Sequence, residues 1–125
     1  MLPTLRDGDR FLLNRLVYHY RQPQRGDVVV IKDPGHTDYA VKRIVGMPLD
    51  SLRLKNGRVY VNDKPFSEPY LTGGTQTFTP DSRENWIMIG QNSFFVLGDN
   101  RAVSEDSRYY GAVRREQIIG RLLNN

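Results

Sequence analysis

Cysteine is absent, histidine occurs twice and alanine three times in a chain of 125 residues. Without thiols there is no disulfide framework, thiolate nucleophile or cysteine zinc cage, and the redox compartment stays open, since a cysteine-free chain fits either side of a membrane. His19 and His36 lie in unrelated segments, which argues against a histidine-rich metal site and against a Ser-His-Asp triad. No uninterrupted apolar run approaches the ~18 residues a membrane helix needs. The scarcity of alanine removes the best helix former, and 11 Val, 6 Ile, 6 Thr and 13 aromatic residues take its place. Such residues fit a pleated surface, so the composition predicts a β protein, and the length predicts one domain with a small excursion at most.

The 18 Lys and Arg against 14 Asp and Glu leave a formal charge of +4. A positive balance attracts polyanions, either nucleic acid or an anionic membrane surface. The basic residues are dispersed: Arg21 and Arg25, Lys42-Arg43 and Arg114-Arg115 each have acids nearby. No basic stripe or nucleic-acid motif forms, which disfavours nucleic acid as a partner.

Along the chain, Phe11-Leu12-Leu13 follows an Asp7-Gly8-Asp9 turn and predicts a buried strand. Val28 to Ile31 is a continuous β-branched run, expected to be buried on both faces and stopped by Asp33-Pro34-Gly35. Tyr39 to Val45 is the next strand. Leu52 to Val61 is a hairpin joined by Asn56-Gly57, the pair suited to a type I′ turn. Pro65 to Asn85 reads as loops and short edges, Phe94 to Leu97 as a second strongly buried strand, and Ile118-Ile119 as a last strand after a brief turn.

Two segments can carry chemistry. Alternation in the 39–45 strand puts Ala40, Lys42 and Ile44 on one face, so Lys42 has a small and a bulky apolar neighbour beside it. Lysine is a poor base at its ordinary pKa of ~10.4, but desolvation favours the neutral amine; a pKa of ~7 would require about 4 kcal/mol of destabilisation of the ammonium, hence real burial. A lysine snorkelling to solvent is the competing reading of the local pattern. The second segment, GDNRAVSEDSRYYG at 98–111, follows a buried strand with a polar turn in which Asp and Arg are expected to pair. Within it the Ser104 hydroxyl is the natural candidate to orient a neutral amine.

Six blocks, in order, resemble those of bacterial type I signal peptidases: MLPTL at 1–5 followed by GDR, RGDVVV at 25–30, VKRIVGMP at 41–48, NGRVYVNDKP at 56–65, EPYL at 68–71 and the 98–111 segment. The resemblance implies an all-β fold of coiled antiparallel sheets, with a catalytic core from residues 1–47 and 86–125 and a small β-hairpin and loop excursion over 48–85. It implies a Ser-Lys dyad serine endopeptidase that needs no cofactor and removes signal peptides from secretory preproteins after a small-x-small motif. Lys42 falls on the general base and Ser104 on the serine that orients it. Gly98, Asp99, Asn100 and Arg101 form the turn beside the base, Asp106 and Arg108 brace the loop, and Met1, Leu5, Ala40 and Val41 fall where the substrate pockets are built. The resemblance places the parent protein, membrane-anchored, at the extracytoplasmic face of the bacterial cytoplasmic membrane, with preprotein signal peptides and anionic lipid as partners.

Three departures accompany the resemblance. The family block reads Ser-Met-x-Pro-Thr with the serine as nucleophile; here it begins at Met1, so the nucleophile would immediately precede Met1 and the chain as given is expected to be inactive. Ser51, Ser67, Ser82, Ser93 and Ser107 fall in no matching motif. Leu49 stands where the family usually has Gly, and Ala40 where it often has an aromatic residue. The expectation is a fragment cut after the serine, or a gene start placed at the motif methionine. Alternatives are a module that captures exported peptides without cutting them and a self-cleaving SOS-repressor-type domain, for which the sequence offers neither an internal cleavage site nor a DNA-binding domain.

Overall fold

The computed structural model describes residues 13–34, 38–79 and 85–122. Ten strands follow in order among them: β1 (Leu13–Asn14), β2 (Val28–Lys32), β3 (Tyr39–Gly46), β4 (Ser51–Lys55), β5 (Arg58–Val61), β6 (Lys64–Pro65), β7 (Asn85–Met88), β8 (Ser93–Leu97), β9 (Val113–Arg114) and β10 (Ile118–Leu122). Their ladders are antiparallel and form a six-stranded sheet in the order β1-β10-β2-β3-β8-β9 and a four-stranded sheet in the order β6-β5-β4-β7. The fold is all-β, with one short helix, α1 (Ser107–Tyr110).

Phe94–Leu97 is buried on both faces because the large sheet is covered on both there, whereas in the Val28–Ile31 run Val30 is only half-buried. Phe94 and Val96 of β8 join Ile44, Val29, Ile31 and Tyr18 in one cluster, while Phe95 and Leu97 join Val45 in another with Leu52, Leu54, Val59 and Ile89 from the small sheet. Each fully buried Phe contributes about 1.5–3 kcal/mol relative to exposure. The two sheets meet closely at Gly46, where an added Cβ would lie 2.8 Å from Leu52 Cδ1 and 2.9 Å from Phe95 Cβ. A side chain at 46 would therefore wedge the sheets apart.

Asn56 and Gly57 both have positive φ, 53° and 76°, which is the type I′ turn expected between β4 and β5. Of the expected Phe11-Leu12-Leu13 strand, Leu13 is in β1 and the other two lie outside the described residues. The segment 66–79 has no regular element, as its Pro, Gly and Thr content suggests. The sequence reading assigned nothing to Trp86–Met88, which pair with β4; Trp86 and Met88 are exposed, and it is Ile87, opposite Leu52, that packs inward. Leu49 has φ 69°, so the turn after Pro48 keeps a left-handed conformation that glycine favours.

Candidate active site

Lys42 lies opposite Val29 on β3 and is 9% exposed, with its Nζ donating to Ser104 Oγ at 3.1 Å. Gly98 makes this approach possible: a Cβ there would come within 2.6 Å of Ser104 Cβ and 3.7 Å of Lys42 Nζ. The loop then turns through Asn100, whose carbonyl accepts from Val103 N at 3.2 Å and Ser104 N at 3.0 Å. The sequence-predicted Lys42, Gly98, Asn100 and Ser104 thus meet at one point.

Burial holds the Lys42 ammonium below its ordinary pKa, while the fields of Asp106, Asp33 and Glu105 raise it in part and that of Arg108 lowers it further. Among the described residues no carboxylate lies within ion-pair distance of Lys42. Asp33 continues the β2–β3 ladder, its amide donating to Asp38 O at 3.2 Å, and its Oδ1 is buried without a hydrogen bond, as is the Tyr110 hydroxyl. Burial and the fields of Asp33, Asp106 and Glu105 push the Tyr110 phenol upward.

The frame around Lys42 is ionic and fully paired. Asp106 caps α1, accepting from Arg108 N at 3.1 Å; it also accepts from Gly98 N at 3.1 Å and takes Arg108 in a fork at 2.9 and 2.8 Å. Ser107 Oγ accepts from Val96 N at 2.9 Å, which ties the start of α1 to β8. Arg43 grips Asp99 through Nε at 3.0 Å and Nη2 at 2.8 Å, and its guanidinium lies 3.7 Å from the Tyr70 ring centre. Arg101 donates from Nε to Gly98 O at 2.8 Å and from Nη1 to Thr77 Oγ1 at 2.7 Å, and forks onto Glu68 at 3.2 and 2.5 Å. Glu68 also accepts from the Tyr70 hydroxyl at 2.6 Å. Glu68 and Tyr70 lie in the EPYL block and Arg43 in the VKRIVGMP block, but neither block by itself indicates these pairings, and Thr77 lies in no block. For the first three, the one signal was their place in a block.

A depression of about 370 Å³ is lined by Ala40, Val41, Lys42, Gly98, Val103 and Ser104. A more apolar one of about 330 Å³ shares Ala40 and Val41 and adds Leu13, Val30 and Tyr39. The β3–β8 ladder begins at Arg43, so on that side Tyr39 to Lys42 have no strand neighbour among the described residues. Met1 and Leu5, also expected in the substrate pockets, lie outside the described residues. No group of metal-ligating side chains forms among the described residues, and none of their helices is long and apolar enough to cross a membrane.

The site is a buried lysine hydrogen-bonded to a serine hydroxyl and framed by arginine–carboxylate forks at an open strand edge of an all-β protein. The profile of the family described as "Signal peptidase, peptidase S26" matches residues 1–123. Signal peptidase I of Leptolyngbya laminosa is 36% identical over 97% of this chain and 61% of its own length; signal peptidase IB of Staphylococcus aureus is 38% identical over 98% of this chain and 70% of its own. A crystal structure of a signal peptidase I from Enterococcus faecalis superposes with a TM-score of 0.69 at 25% identity, covering 82% of this chain and 98% of that one. The chain belongs to the signal peptidase family, peptidase S26, and spans about three fifths of the first of these relatives.

Proposed function

We propose that this chain is the catalytic part of a signal peptidase that removes signal peptides from secretory preproteins, with Lys42 as general base. The observation that carries the reading is the buried Lys42 Nζ, 3.1 Å from Ser104 Oγ and facing a depression at an open strand edge. The nucleophile is a serine that the family motif places immediately before Met1. Neutral Lys42 takes that hydroxyl's proton as the oxygen attacks the scissile carbonyl; it returns the proton to the leaving amine, and water then hydrolyses the acyl-enzyme ester. An extended preprotein segment pairs with the free edge at Tyr39 to Lys42, and the small side chains it carries seat against Ala40 and Val41. Residues 1–47 and 86–125 act as the core and 48–85 as the excursion. The protein works at the extracytoplasmic face of the cytoplasmic membrane, where its charge of +4 meets anionic lipid.

The test is cleavage of a signal-peptide substrate by the 1–125 chain and by one extended upstream to include the serine. The extended chain is expected to cleave, Lys42→Ala to lower its rate by about 10²–10⁴-fold, and the 1–125 chain to be inactive. Lys42-dependent cleavage by the 1–125 chain would overturn the placement of the nucleophile; peptide binding without turnover in the extended chain would favour a capture module.

A further inference from the structure

Beyond the C-terminal end of β3 a cavity of about 430 Å³ opens between the 3₁₀ turn Val17–His19, the turn at Pro48-Leu49 and the turn at Gln91-Asn92 that leads into β8. Two guanidinium groups, Arg21 at 5.5 Å and Arg115 at 5.2 Å from the ring centre, pack against Tyr18 in its wall. Their charge is under-compensated. Asp27 pairs with Arg21 at 3.3 Å and with Arg121 at 3.4 Å while also accepting from the Tyr18 hydroxyl at 2.7 Å. Arg115 donates to two carbonyl oxygens, Tyr18 O at 2.9 Å and Ile118 O at 3.5 Å, and has no carboxylate partner among the described residues; neighbouring Glu116 is taken by Arg114 at 3.0 Å. One carboxylate thus serves a corner with three guanidinium groups.

The same cavity concentrates backbone strain and exposed apolar surface. Leu49 and Asn92, with φ 69° and 59°, are two of five non-glycine residues of positive φ among the described residues, and both line it. A leucine in that conformation is uncommon, and this one is 67% exposed, beside Tyr20 at 87%. Both conformations belong to turns of the fold, Leu49 N donating to Ile89 O and Asn92 O accepting from Arg115 N, each at 2.9 Å; what the fold leaves unused is the exposed surface of Leu49 and Tyr20 beside the carboxylate-free Arg115, and that juxtaposition points to an anionic, partly apolar ligand.

We propose that this cavity binds the phosphate of an anionic lipid. Arg115 and Arg21 take the phosphate oxygens in charge-assisted hydrogen bonds, the amides of Gln22 and Asn92 reach its ester oxygens, and Leu49 and Tyr20 lie against the glycerol and first methylenes, where amphipathic aromatics are favoured. The site rests on the membrane-surface reading above and names where on the chain that contact is made.

The test is co-sedimentation of the 1–125 chain with phosphatidylcholine vesicles, with and without phosphatidylglycerol. Binding is expected only with phosphatidylglycerol, and Arg115→Gln is expected to weaken it about tenfold. Leu49→Asp, on an exposed turn that leaves Arg115 in place, is expected to weaken it too. Arg58→Gln, the same charge loss on the exposed hairpin, is expected to change it by less than about twofold. No binding to phosphatidylglycerol vesicles overturns both the site and the membrane reading. Equal weakening by Arg115→Gln and Arg58→Gln overturns the site alone. Full competition by inorganic phosphate overturns the lipid as the ligand and assigns the cavity to the free anion.

Discussion

Lys42 and Arg43 are neighbours on β3, pointing to opposite faces of the large sheet, and the fold treats their charges in opposite ways. Both are buried, at 9% and 6% exposure. Arg43 is given both oxygens of Asp99, the Gly26 carbonyl and the face of Tyr70. Lys42 is given one hydroxyl. A buried charge is tolerable when its partners replace the lost water, and Arg43, partnered in this way, serves as structure. The Lys42 ammonium lacks that replacement, and its proton is correspondingly easy to remove. The distinction is made by the partners rather than by depth, and it is what leaves Arg43 a framework cation and suits Lys42 to the base role proposed for it.

The comparison breaks if its framework side is weak. Asp99→Asn leaves Arg43 buried without its carboxylate and is expected to cost about 3–5 kcal/mol in urea unfolding. A loss below ~1 kcal/mol would show that the pair is not the brace described. Gly98→Ala is expected to cost about 1–3 kcal/mol through overpacking against Ser104, and to abolish the Lys42–Ser104 bond. An unchanged Lys42 signal in carbon NMR of the labelled side chain would contradict the close approach.

The reactive side is sharpened by pH. The folded-state pKa of Lys42 lies below its ordinary value of 10.5, so between those two values the unfolded chain binds more protons and stability rises with pH. Lys42→Met is expected to remove that rising limb and to raise the melting temperature at pH 7; a lower melting temperature there would mean that the ammonium is well compensated after all. Asp33→Asn gives the smallest effect. Its carboxylate raises the Lys42 pKa, so the substitution should move the Lys42 titration further down, and an upward shift would count against the role given to its field.

Much of this was legible along the chain. The Asn56-Gly57 pair announces its turn through the backbone angles those residues tolerate, and the apolar run Phe94 to Leu97 announces double-sided burial. Lys42 and the polar residues of 98–111 were ambiguous from local pattern, because alternation names a face without saying what covers it and a polar turn does not say which partners meet; the ordered motif blocks supplied the candidates. Strand β7 was missed because Trp86 and Met88 turn outward and only Ile87 reports the inner face. Long-range pairings were out of reach for a different reason. Arg43 and Asp99 are 56 residues apart and Arg101 and Glu68 are 33 apart, and no periodicity connects charges across such distances. Leu49 was visible as a departure from the family, but its left-handed backbone was not.

The hairpin tip has a bearing on all of this. Thr77 N donates to Gly57 O at 2.8 Å, the Thr77 hydroxyl accepts from Arg101, and Arg101 holds the Gly98 carbonyl. The hairpin turn of the small sheet is therefore linked to the carbonyl of Gly98, beside Lys42 and Ser104, through three successive hydrogen bonds. If this chain of bonds opens as one unit, amide protection at Thr77 is expected to fall together with that at Gly98, so the small sheet is an anchor for the loop facing Lys42 as well as a cover for the core.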